Sequence, residues 1–421
     1  VSDENTYYKM GQLVASGQFP YRDFFFAHPP LQIYLYAIVF KLFGFNFLLM
    51  KIISAIAVVI IAAFVFAITK DKLNPKIAAA ATTLFLFSYG TLLFSNFPTG
   101  TEIATAFAAA GFYFFLRKNF FGSGILLGFA SVTALLSVII LPLLLFFAAF
   151  IFKDKKSAIK LLTGFAIVFV VINGLFLIVA KGEYLKQALI YHLKKPGISS
   201  VKADIFFRIV KTNALLFIAA AVAVVSRNRT KLNVLMPAII AAGYVAMFPL
   251  LKTAFNYYLL YAFPFLAVVA GYGILSLQEF LTEKAKLREK AAAIGVALLV
   301  LLSSFAAASS FISYDLQDFP QAEEIAAYVK ENTLPTQTIF GDDSIAPLIS
   351  LLSGREIALN HADNNALRYS SGLTDLGQTL QLLQNKVNEG ELKFVILRRM
   401  KAGKGAFDFG IATQQQFTDF V

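Results

Sequence analysis

Long apolar segments constrain this chain more than any other feature of its sequence. A helix that crosses a bilayer needs about 20 mostly apolar residues, and about ten segments approach that length and composition. The two shortest, on either side of Ser137, are also compatible with one hairpin kinked around Pro142. The sequence therefore predicts a mainly α, polytopic helical membrane protein. The predicted spans are 48–69, 77–95, 100–116, 121–137, 138–152, 158–180, 209–226, 232–250, 255–277 and 291–313.

The composition excludes several classes of protein. Hydrophobic residues make up 58% of the chain and charged residues 15%, against about 45–50% and about 25% in ordinary soluble domains. This excludes a soluble globular enzyme for most of the chain. Cysteine is absent, which excludes a disulfide scaffold, a zinc–thiolate site and cysteine catalysis. No glycine-rich nucleotide motif, HExxH or GxSxG serves a plausible site.

The positions of the basic residues predict the orientation of the spans. Alternate connecting loops are rich in lysine and arginine, which places them on the cytoplasmic side. Residues 1–47 and the chain after Tyr314 then lie outside the cell. One external loop, 181–208, is basic as well and departs from the rule. The cytoplasmic set includes Lys70, Lys72 and Lys76, then Lys153, Lys155 and Lys156, and Lys284, Lys286, Arg288 and Lys290.

The composition also predicts three domains. Residues 1–47 form a first external loop with interfacial helices, residues 48–313 a transmembrane module, and residues 314–421 a small extracytoplasmic soluble α/β domain. In the last of these, the patterns predict helices at 321–332, 346–352 and 377–389, and strands at 338–340, 357–359 and 394–397.

Acidic residues near the outer membrane face are the first candidates for chemistry. Asp3 and Glu4 open the first external loop, and Glu102 stands at the outer mouth of a span. Each has an ordinary alternative explanation. The pair is compatible with a solvated acidic end, and a carboxylate in the first turn of a helix gains about 0.3–1 kcal/mol from the helix dipole.

Basic residues on the same face are the second set of candidates: Lys194, Lys195, Arg208 and Lys252. Attraction to anionic lipid headgroups and a phosphate site for a lipid-linked substrate explain them equally well. His192 alone is better explained as a polar interface residue than as a metal ligand.

Several motifs together resemble the GT-C membrane glycosyltransferases. The closest group is the protein-mannosyltransferase and aminoarabinose-transferase superfamily, glycosyltransferase family 39-like, in its prokaryotic branch. The motifs of the first loop are Asp3-Glu4-Asn5-Thr6-Tyr7-Tyr8, Gly17-Gln18-Phe19-Pro20-Tyr21-Arg22-Asp23-Phe24 and His28-Pro29-Pro30-Leu31. Further likenesses are Pro98-Thr99-Gly100-Thr101-Glu102, Phe255-Asn256-Tyr257-Tyr258-Leu259 with Pro264, and Glu323-Glu324-Ile325 through Gly354-Arg355.

The resemblance implies an activity and its site. Such an enzyme moves a sugar from a polyprenyl-phosphate donor to a hydroxyl of a protein, lipid or glycan at the extracytoplasmic face of the plasma membrane. Asp3 corresponds to the catalytic acid/base, with Glu4 as its neighbour and Glu102 as a second acidic site residue. The candidates for the donor phosphate are Lys252, Lys194, Lys195 and Arg208, and those for the acceptor or sugar are His28, Tyr7 and Tyr257.

The expected partners are the lipid bilayer, the lipid-linked donor and the acceptor, with no nucleic acid. No cofactor is certain. A divalent metal at Asp3, Glu4 and Glu102 stays open, because three carboxylates on two loops do not specify one. The acids Asp3 and Glu102 are expected to face a common pocket.

Two departures from the family pattern and two rival functions accompany this interpretation. A transmembrane helix is expected before Asp3, and Thr133-Ala134 stand where many relatives carry a lysine. A transporter or flippase of lipid-linked sugars is the first rival, although it favours ionisable residues at the middle of the spans. A structural subunit is the second, and it leaves Asp3 and Glu102 without a role.

Overall fold

A computed structural model describes residues 3–197, 202–226, 232–315, 321–343, 345–397 and 411–421. The chain divides into two compact units, each built from separate stretches. The first unit comprises Val1–Met50, Asn173–Gly197 and Asp318–Val421, and the second comprises Lys51–Ile172 and Ile198–Gln317. The domain boundaries expected from composition stay a prediction, and residues 316–320 beside one of them lie outside the described residues.

Helices dominate the described chain, and three short strands form its sheet. The strands are β1 (Thr338–Gly341), β2 (Glu356–Ile357) and β3 (Leu392–Ile396). The helices are α1 (Asp3–Ala15), α2 (Leu31–Phe43), α3 (Phe47–Lys70), α4 (Pro75–Leu86), α5 (Tyr89–Ser95), α6 (Thr101–Leu116), α7 (Phe120–Thr133), α8 (Ile140–Phe146), α9 (Lys155–Ala180), α10 (Gly182–Leu185), α11 (Tyr191–Lys194), α12 (Lys202–Thr212), α13 (Ala214–Val225), α14 (Leu232–Met247), α15 (Phe263–Glu283), α16 (Glu289–Asp315), α17 (Gln321–Glu331), α18 (Ala346–Ser353), α19 (Ala366–Ser370), α20 (Leu376–Asn388) and α21 (Gln415–Phe420).

Each of the ten predicted spans has a helical counterpart, and the chain is a multi-pass membrane protein. Within the described ranges, five helical segments are long and apolar enough to cross a bilayer, and two bent pairs bring the number to seven. The other three counterparts are shorter apolar helices. The five long segments are Phe47–Lys70, Lys155–Ala180, Leu232–Leu250, Asn256–Glu283 and Glu289–Ile312. The pairs are α4 with α5 and α12 with α13, and the shorter helices are Thr101–Leu116, Phe120–Thr133 and Leu135–Ile151.

Polar side chains satisfy the backbone where the two bent pairs break. The first pair bends by 63° and the second by 85°. At the first break, the Ser88 Oγ accepts a hydrogen bond from the Thr91 N–H at 3.3 Å and caps α5. At the second, the Asn213 Nδ2 donates to the Ile209 carbonyl at 2.7 Å. Hydropathy alone does not reveal such breaks, because the residues around them are apolar.

The break between the two shortest predicted spans lies at Ala134 rather than at Pro142. Ala134 has an extended backbone, with φ −151° and ψ 126°, and it ends α7. Pro142 lies inside the continuous helical segment Leu135–Ile151, just after a 3-10 turn runs into α8.

Close backbone packing joins α13 and α15 in the second unit. A Cβ added to Gly273 of α15 would lie 1.8 Å from the carbonyl oxygen of Ala219 in α13. No side chain fits in that space without moving one helix. The two helices therefore approach each other as glycine-containing membrane helices commonly do, through small residues.

The C-terminal part of the first unit contains a parallel sheet in the order β2-β1-β3. Phe340 of β1 packs with Leu383, Ile411 and Phe417 in a buried core. The second strand is shorter than predicted and ends at Ile357. Leu359 follows with φ 60°, a left-handed backbone that cannot continue a strand.

The N-terminal part of the first unit is helical from its first described residue. The acidic stretch predicted as a loop forms α1, and the predicted interfacial stretch forms α2. Helix α2 ends at Gly44, whose φ of 69° allows its N–H to bond the Phe40 carbonyl. Tyr8 of α1 packs edge-on against Tyr36 of α2, with ring centroids 5.3 Å apart.

The close approach of α13 and α15 generates a stability prediction. Gly273→Ala should lower the thermal unfolding midpoint, because overpacking costs about 1–3 kcal/mol. Gly295→Ala is the matched control, since a Cβ there meets nothing within 4 Å. It should keep or raise the midpoint, because alanine favours a helix by about 1 kcal/mol over glycine. Equal midpoints for both variants in detergent would contradict the packing.

Candidate functional site

The first turn of α1 presents two carboxylates in different surroundings. Asp3 is exposed, and Glu4 is buried. The positive end of a helix dipole favours negative charge at both positions. The structure adds a third carboxylate to this region, Asp363 of the C-terminal part. Burial and, more weakly, repulsion by Asp3 raise the pKa of Asp363 to about 6, while Arg368 opposes the shift.

A cluster of aromatic, imidazole and ammonium groups lies in the same unit: Tyr7, His28, His192 and Lys195. The Tyr7 hydroxyl and His28 Nε2 share a hydrogen bond of 3.1 Å. The rings of His28 and His192 have centroids 5.4 Å apart. His192 Nε2 donates to the Ala27 carbonyl at 2.5 Å. We call these four residues the imidazole cluster.

Burial and mutual repulsion keep the two histidines of the imidazole cluster neutral. The pKa of His28 falls well below its ordinary value through burial and through the nearby His192 and Lys195. Burial and Lys195 lower the pKa of His192 to about 4. Burial lowers the pKa of Lys195 to about 8, so at neutral pH this side chain is largely charged. The cluster is therefore a buried cation beside two neutral imidazoles.

Hydrogen bonds, two of them from a side-chain amide, hold the segment that carries His28. Gln187 donates from Nε2 to the Tyr21 carbonyl at 2.9 Å and accepts from the Phe26 N–H at 3.0 Å. The Tyr21 hydroxyl donates to the His28 carbonyl at 2.6 Å. Tyr21 adopts a φ of 68°, which turns the chain sharply at this point. These bonds fix the position of His28 relative to the helix that carries His192.

The two lysines predicted as one phosphate-binding pair differ in their surroundings. Lys195 is 6% exposed and lies over the Tyr191 ring, with its Nζ 6.0 Å from the ring centroid. Lys194 is exposed. Consecutive residues at the end of a short helix face different directions, and only Lys195 enters the imidazole cluster. This difference depends on the tertiary packing of α11 and could not be inferred from the lysine pair in the sequence.

In the second unit, Glu102 is fully buried at the start of α6. One carboxylate oxygen accepts from the Ser54 hydroxyl at 2.7 Å, and the other accepts from the Thr99 N–H at 3.2 Å. Gly100, with φ 80°, precedes the helix and allows the chain to fold back toward the carboxylate. These contacts are those of a carboxylate that holds a helix start in place.

Lys51 is a basic residue of the second unit that the sequence interpretation missed. It stands one turn before Ser54 on α3 and donates to the Asn96 Oδ1 at 3.2 Å. A lysine and a serine three residues apart lie on one helix face. That spacing within an apolar span was the available signal, because a cation in a span has a high desolvation cost.

The remaining predicted residues lie in the second unit. Lys252 and Arg208 are exposed. Tyr257 is buried and stacks on Phe255, with ring centroids 5.4 Å apart and the ring planes 6° apart. The first unit thus holds Asp3, Glu4, Tyr7, His28, Lys194 and Lys195, and the second holds Glu102, Tyr257, Lys252 and Arg208. A pocket common to Asp3 and Glu102 stays a prediction.

No group of three or more His, Asp or Glu side chains arranged to hold a metal ion occurs in the described part of the chain. Asp3 and Asp363 interact through their charges, but such a pair alone does not specify a cation.

The sequence matches one family model, and the fold is similar to those of solved structures. Residues 27–177 match the model of the dolichyl-phosphate-mannose-protein mannosyltransferase family. No match was found among curated protein sequences. The structure of ArnT from Cupriavidus metallidurans bound to undecaprenyl phosphate is similar, with a TM-score of 0.67 at 13% identity. The similarity covers 89% of this chain and 84% of that one.

Two further structures share the fold. The apo ArnT from the same organism has a TM-score of 0.67 at 13% identity, over 91% of this chain and 87% of that one. The Archaeoglobus fulgidus oligosaccharyltransferase, solved with Zn and sulfate, has a TM-score of 0.60 at 14% identity, over 94% of this chain and 63% of that one. The resemblance to GT-C membrane glycosyltransferases is confirmed, and the chain has their fold.

The bonds of Glu102 generate a second prediction. Glu102→Gln should lower the unfolding midpoint, because the amide offers only one acceptor oxygen and leaves one buried bond unmade, at about 1–3 kcal/mol. Ser54→Ala, which removes one donor, should lower it in the same direction. Unchanged midpoints for both, measured by thermal unfolding in detergent, would show that these contacts do not hold α6.

The neutral His192 generates a third prediction, on pH. Its pKa is about 4 in the fold, against the ordinary 6.5, so the unfolded chain binds the proton first as the pH falls between these values. The free energy of unfolding should therefore decrease from pH 6.5 toward pH 4, and His192→Gln should make the decrease shallower.

Asp363 provides the control of opposite sign. Its folded pKa of about 6 exceeds the ordinary 3.8, so its protonation stabilises the fold as the pH falls. Asp363→Asn should make the decrease in stability steeper than in the unmodified chain. Thermal unfolding midpoints at intervals from pH 7 to pH 4 measure both effects, and parallel profiles for the three proteins would contradict them.

Proposed function

We propose that this chain transfers a sugar from a polyprenyl-phosphate donor to an acceptor hydroxyl at the extracytoplasmic face of the membrane. The observation that carries the proposal is the pairing, within one unit of a GT-C fold, of an exposed acid in α1 with a buried lysine beside two imidazoles. An acid to accept a proton and a cation to bind a phosphate are the two requirements of this transfer.

Asp3 is the proposed general base. Its carboxylate takes the proton of the acceptor hydroxyl as the acceptor oxygen bonds to the anomeric carbon of the sugar. The bond between that carbon and the phosphate oxygen breaks, and the polyprenyl phosphate leaves with the electron pair. Asp363 raises the negative charge around Asp3, as its own shifted pKa indicates. Attack from the face opposite the phosphate inverts the anomeric configuration.

Lys195 is the proposed first contact of the donor phosphate. A phosphate beside it would interact with a buried ammonium group, and this interaction strengthens as negative charge develops on the leaving phosphate. His28 interacts with the charge of Lys195, and Tyr7 shares a hydrogen bond with His28. Both side chains can donate hydrogen bonds to phosphate or sugar oxygens. Lys194, Arg208 and Lys252 are exposed, which suits attraction of the anionic headgroup better than contact in the transition state.

Glu102, in the second unit, has a different proposed role. The bonds from Ser54 and Thr99 to Glu102 support positioning of the start of α6 rather than proton transfer.

The assignment of Asp3 generates a fourth prediction. Asp3→Asn keeps the size of the side chain and removes the base, so the rate of sugar transfer from a polyprenyl-phosphate donor should fall about 10²–10⁴-fold. The unfolding midpoint should change little, because Asp3 is exposed and a carboxylate in the first turn of a helix gains only about 0.3–1 kcal/mol from the dipole. The measurement is transfer by the purified chain in detergent with a radiolabelled lipid-linked sugar.

Glu331→Gln is the matched control. Glu331 is an exposed carboxylate at the end of α17 in the same unit, and its replacement should leave the rate unchanged. Full activity of Asp3→Asn would exclude Asp3 as the base. Absence of transfer by the unmodified chain would favour a transporter of lipid-linked sugars instead.

A further inference from the structure

A cavity in the first unit is lined by neither the imidazole cluster nor Asp3. Its volume is about 600 Å³, within the range of about 300–1,000 Å³ typical of small-molecule sites. It lies between the turn after α1, the stretch that begins at α10, and the C-terminal part of the unit. The polar lining residues are Arg22, Asp23, Glu183, Lys186, Gln187, His361, Arg368 and Thr374.

Arg368 is a buried cation in the wall of this cavity. Its Nε donates to the Thr374 hydroxyl at 3.0 Å, one terminal nitrogen donates to the Asp363 backbone carbonyl at 2.9 Å, and the other donates to His361 Nε2 at 3.2 Å. The guanidinium also lies 4.6 Å from the Phe25 ring centroid. Within the described ranges, no carboxylate lies at ion-pair distance from Arg368. Three of its five N–H groups are used, and two remain.

His361 adds a second donor that has no acceptor. Because arginine only donates, His361 Nε2 accepts in this pair, and the proton of the neutral ring is on Nδ1. Burial and the charge of Arg368 lower the pKa of His361, which keeps the ring neutral. The Nδ1 is buried and has no hydrogen-bond partner among the described residues. Such an orphaned buried donor is rare in folded proteins.

The other charges in the lining cancel one another. Arg22 pairs with Asp23 at 2.8 Å, and Lys186 pairs with Glu183 at 2.5 Å. The lining therefore carries one net positive charge, that of Arg368. Asp363 interacts with the charge of Arg368 but not at ion-pair distance. A singly charged anion in the cavity can therefore form the direct, charge-assisted contact that Arg368 lacks among the described residues.

We infer that this cavity binds a saccharide bearing one carboxylate and that it recognises the sugar acceptor of the proposed transfer. The carboxylate takes the position facing Arg368. The two surface ion pairs place donors beside acceptors, which suits the neighbouring hydroxyls of a sugar ring. An apolar peptide side chain would gain little from these pairs. The role as an acceptor site rests on the proposed function, whereas the binding itself does not.

Binding of a matched pair of small sugars tests the inference on the full chain in detergent, with no donor present. Methyl β-D-glucuronide carries the carboxylate, and methyl β-D-glucoside is its neutral counterpart. Calorimetry should show binding of the glucuronide and about tenfold weaker binding of the glucoside, the loss expected for a charge-assisted hydrogen bond. N-acetyl-alanyl-alanine, a peptide carboxylate, should bind as weakly as the glucoside.

Two variants of the cavity wall and one control complete the experiment. Arg368→Gln should abolish glucuronide binding. Lys186→Glu reverses the charge of an exposed side chain, carries little risk for folding, and should weaken glucuronide binding about fivefold. Lys330→Glu makes the same charge change at an exposed site on α17 outside the cavity, and binding should stay unchanged.

The outcomes separate this inference from the proposed function. Equal binding of both sugars, no binding of the glucuronide, preference for the peptide, or unchanged binding by Lys186→Glu would overturn the carboxylate–saccharide site. Glucuronide binding that depends on Lys186, in a chain without transfer activity, would overturn the proposed function and keep the site. Transfer activity without glucuronide binding would overturn the site alone.

Discussion

The high cost of removing a charge from water organises both units of this chain. A buried cation or carboxylate persists only where hydrogen bonds or opposite charges compensate it. Glu102 meets this condition with bonds from Ser54 and Thr99. Arg368 meets it with neutral acceptors, an aromatic ring and the more distant charge of Asp363. An anionic ligand would add the direct ion pair that Arg368 lacks among the described residues.

The spans were predictable from the sequence because hydrocarbon permits few alternatives. In the bilayer every backbone polar group needs an internal partner, so long apolar runs become helices. The ends of α3 and α14 accordingly lie close to the predicted bounds. The breaks were not predictable in the same way. Local hydrogen bonds and backbone angles set the helix boundaries at Ser88, Ala134 and Asn213. They do not alter the hydropathy of the segment.

The candidate site was predictable by residue type but not by arrangement. The motif at His28 and the acid at Asp3 were visible in one contiguous stretch, and the GT-C resemblance depended on them. The partners Asp363 and His192 come from distant parts of the chain, and only tertiary folding brings them to α1 and to His28. The same holds for Arg368 and His361, since a lone arginine in a soluble segment ordinarily signals an exposed side chain.

The ion pair between Lys9 of α1 and Glu356 of β2, 2.7 Å long, has a consequence for biosynthesis. Lys9 is 1% exposed, so its charge has no ready access to water once α1 is packed. Its partner is made only after all the predicted spans have left the ribosome. Helix α1 therefore completes its packing at the end of synthesis, and a chain truncated before Glu356 would leave a buried ammonium group without its counter-ion.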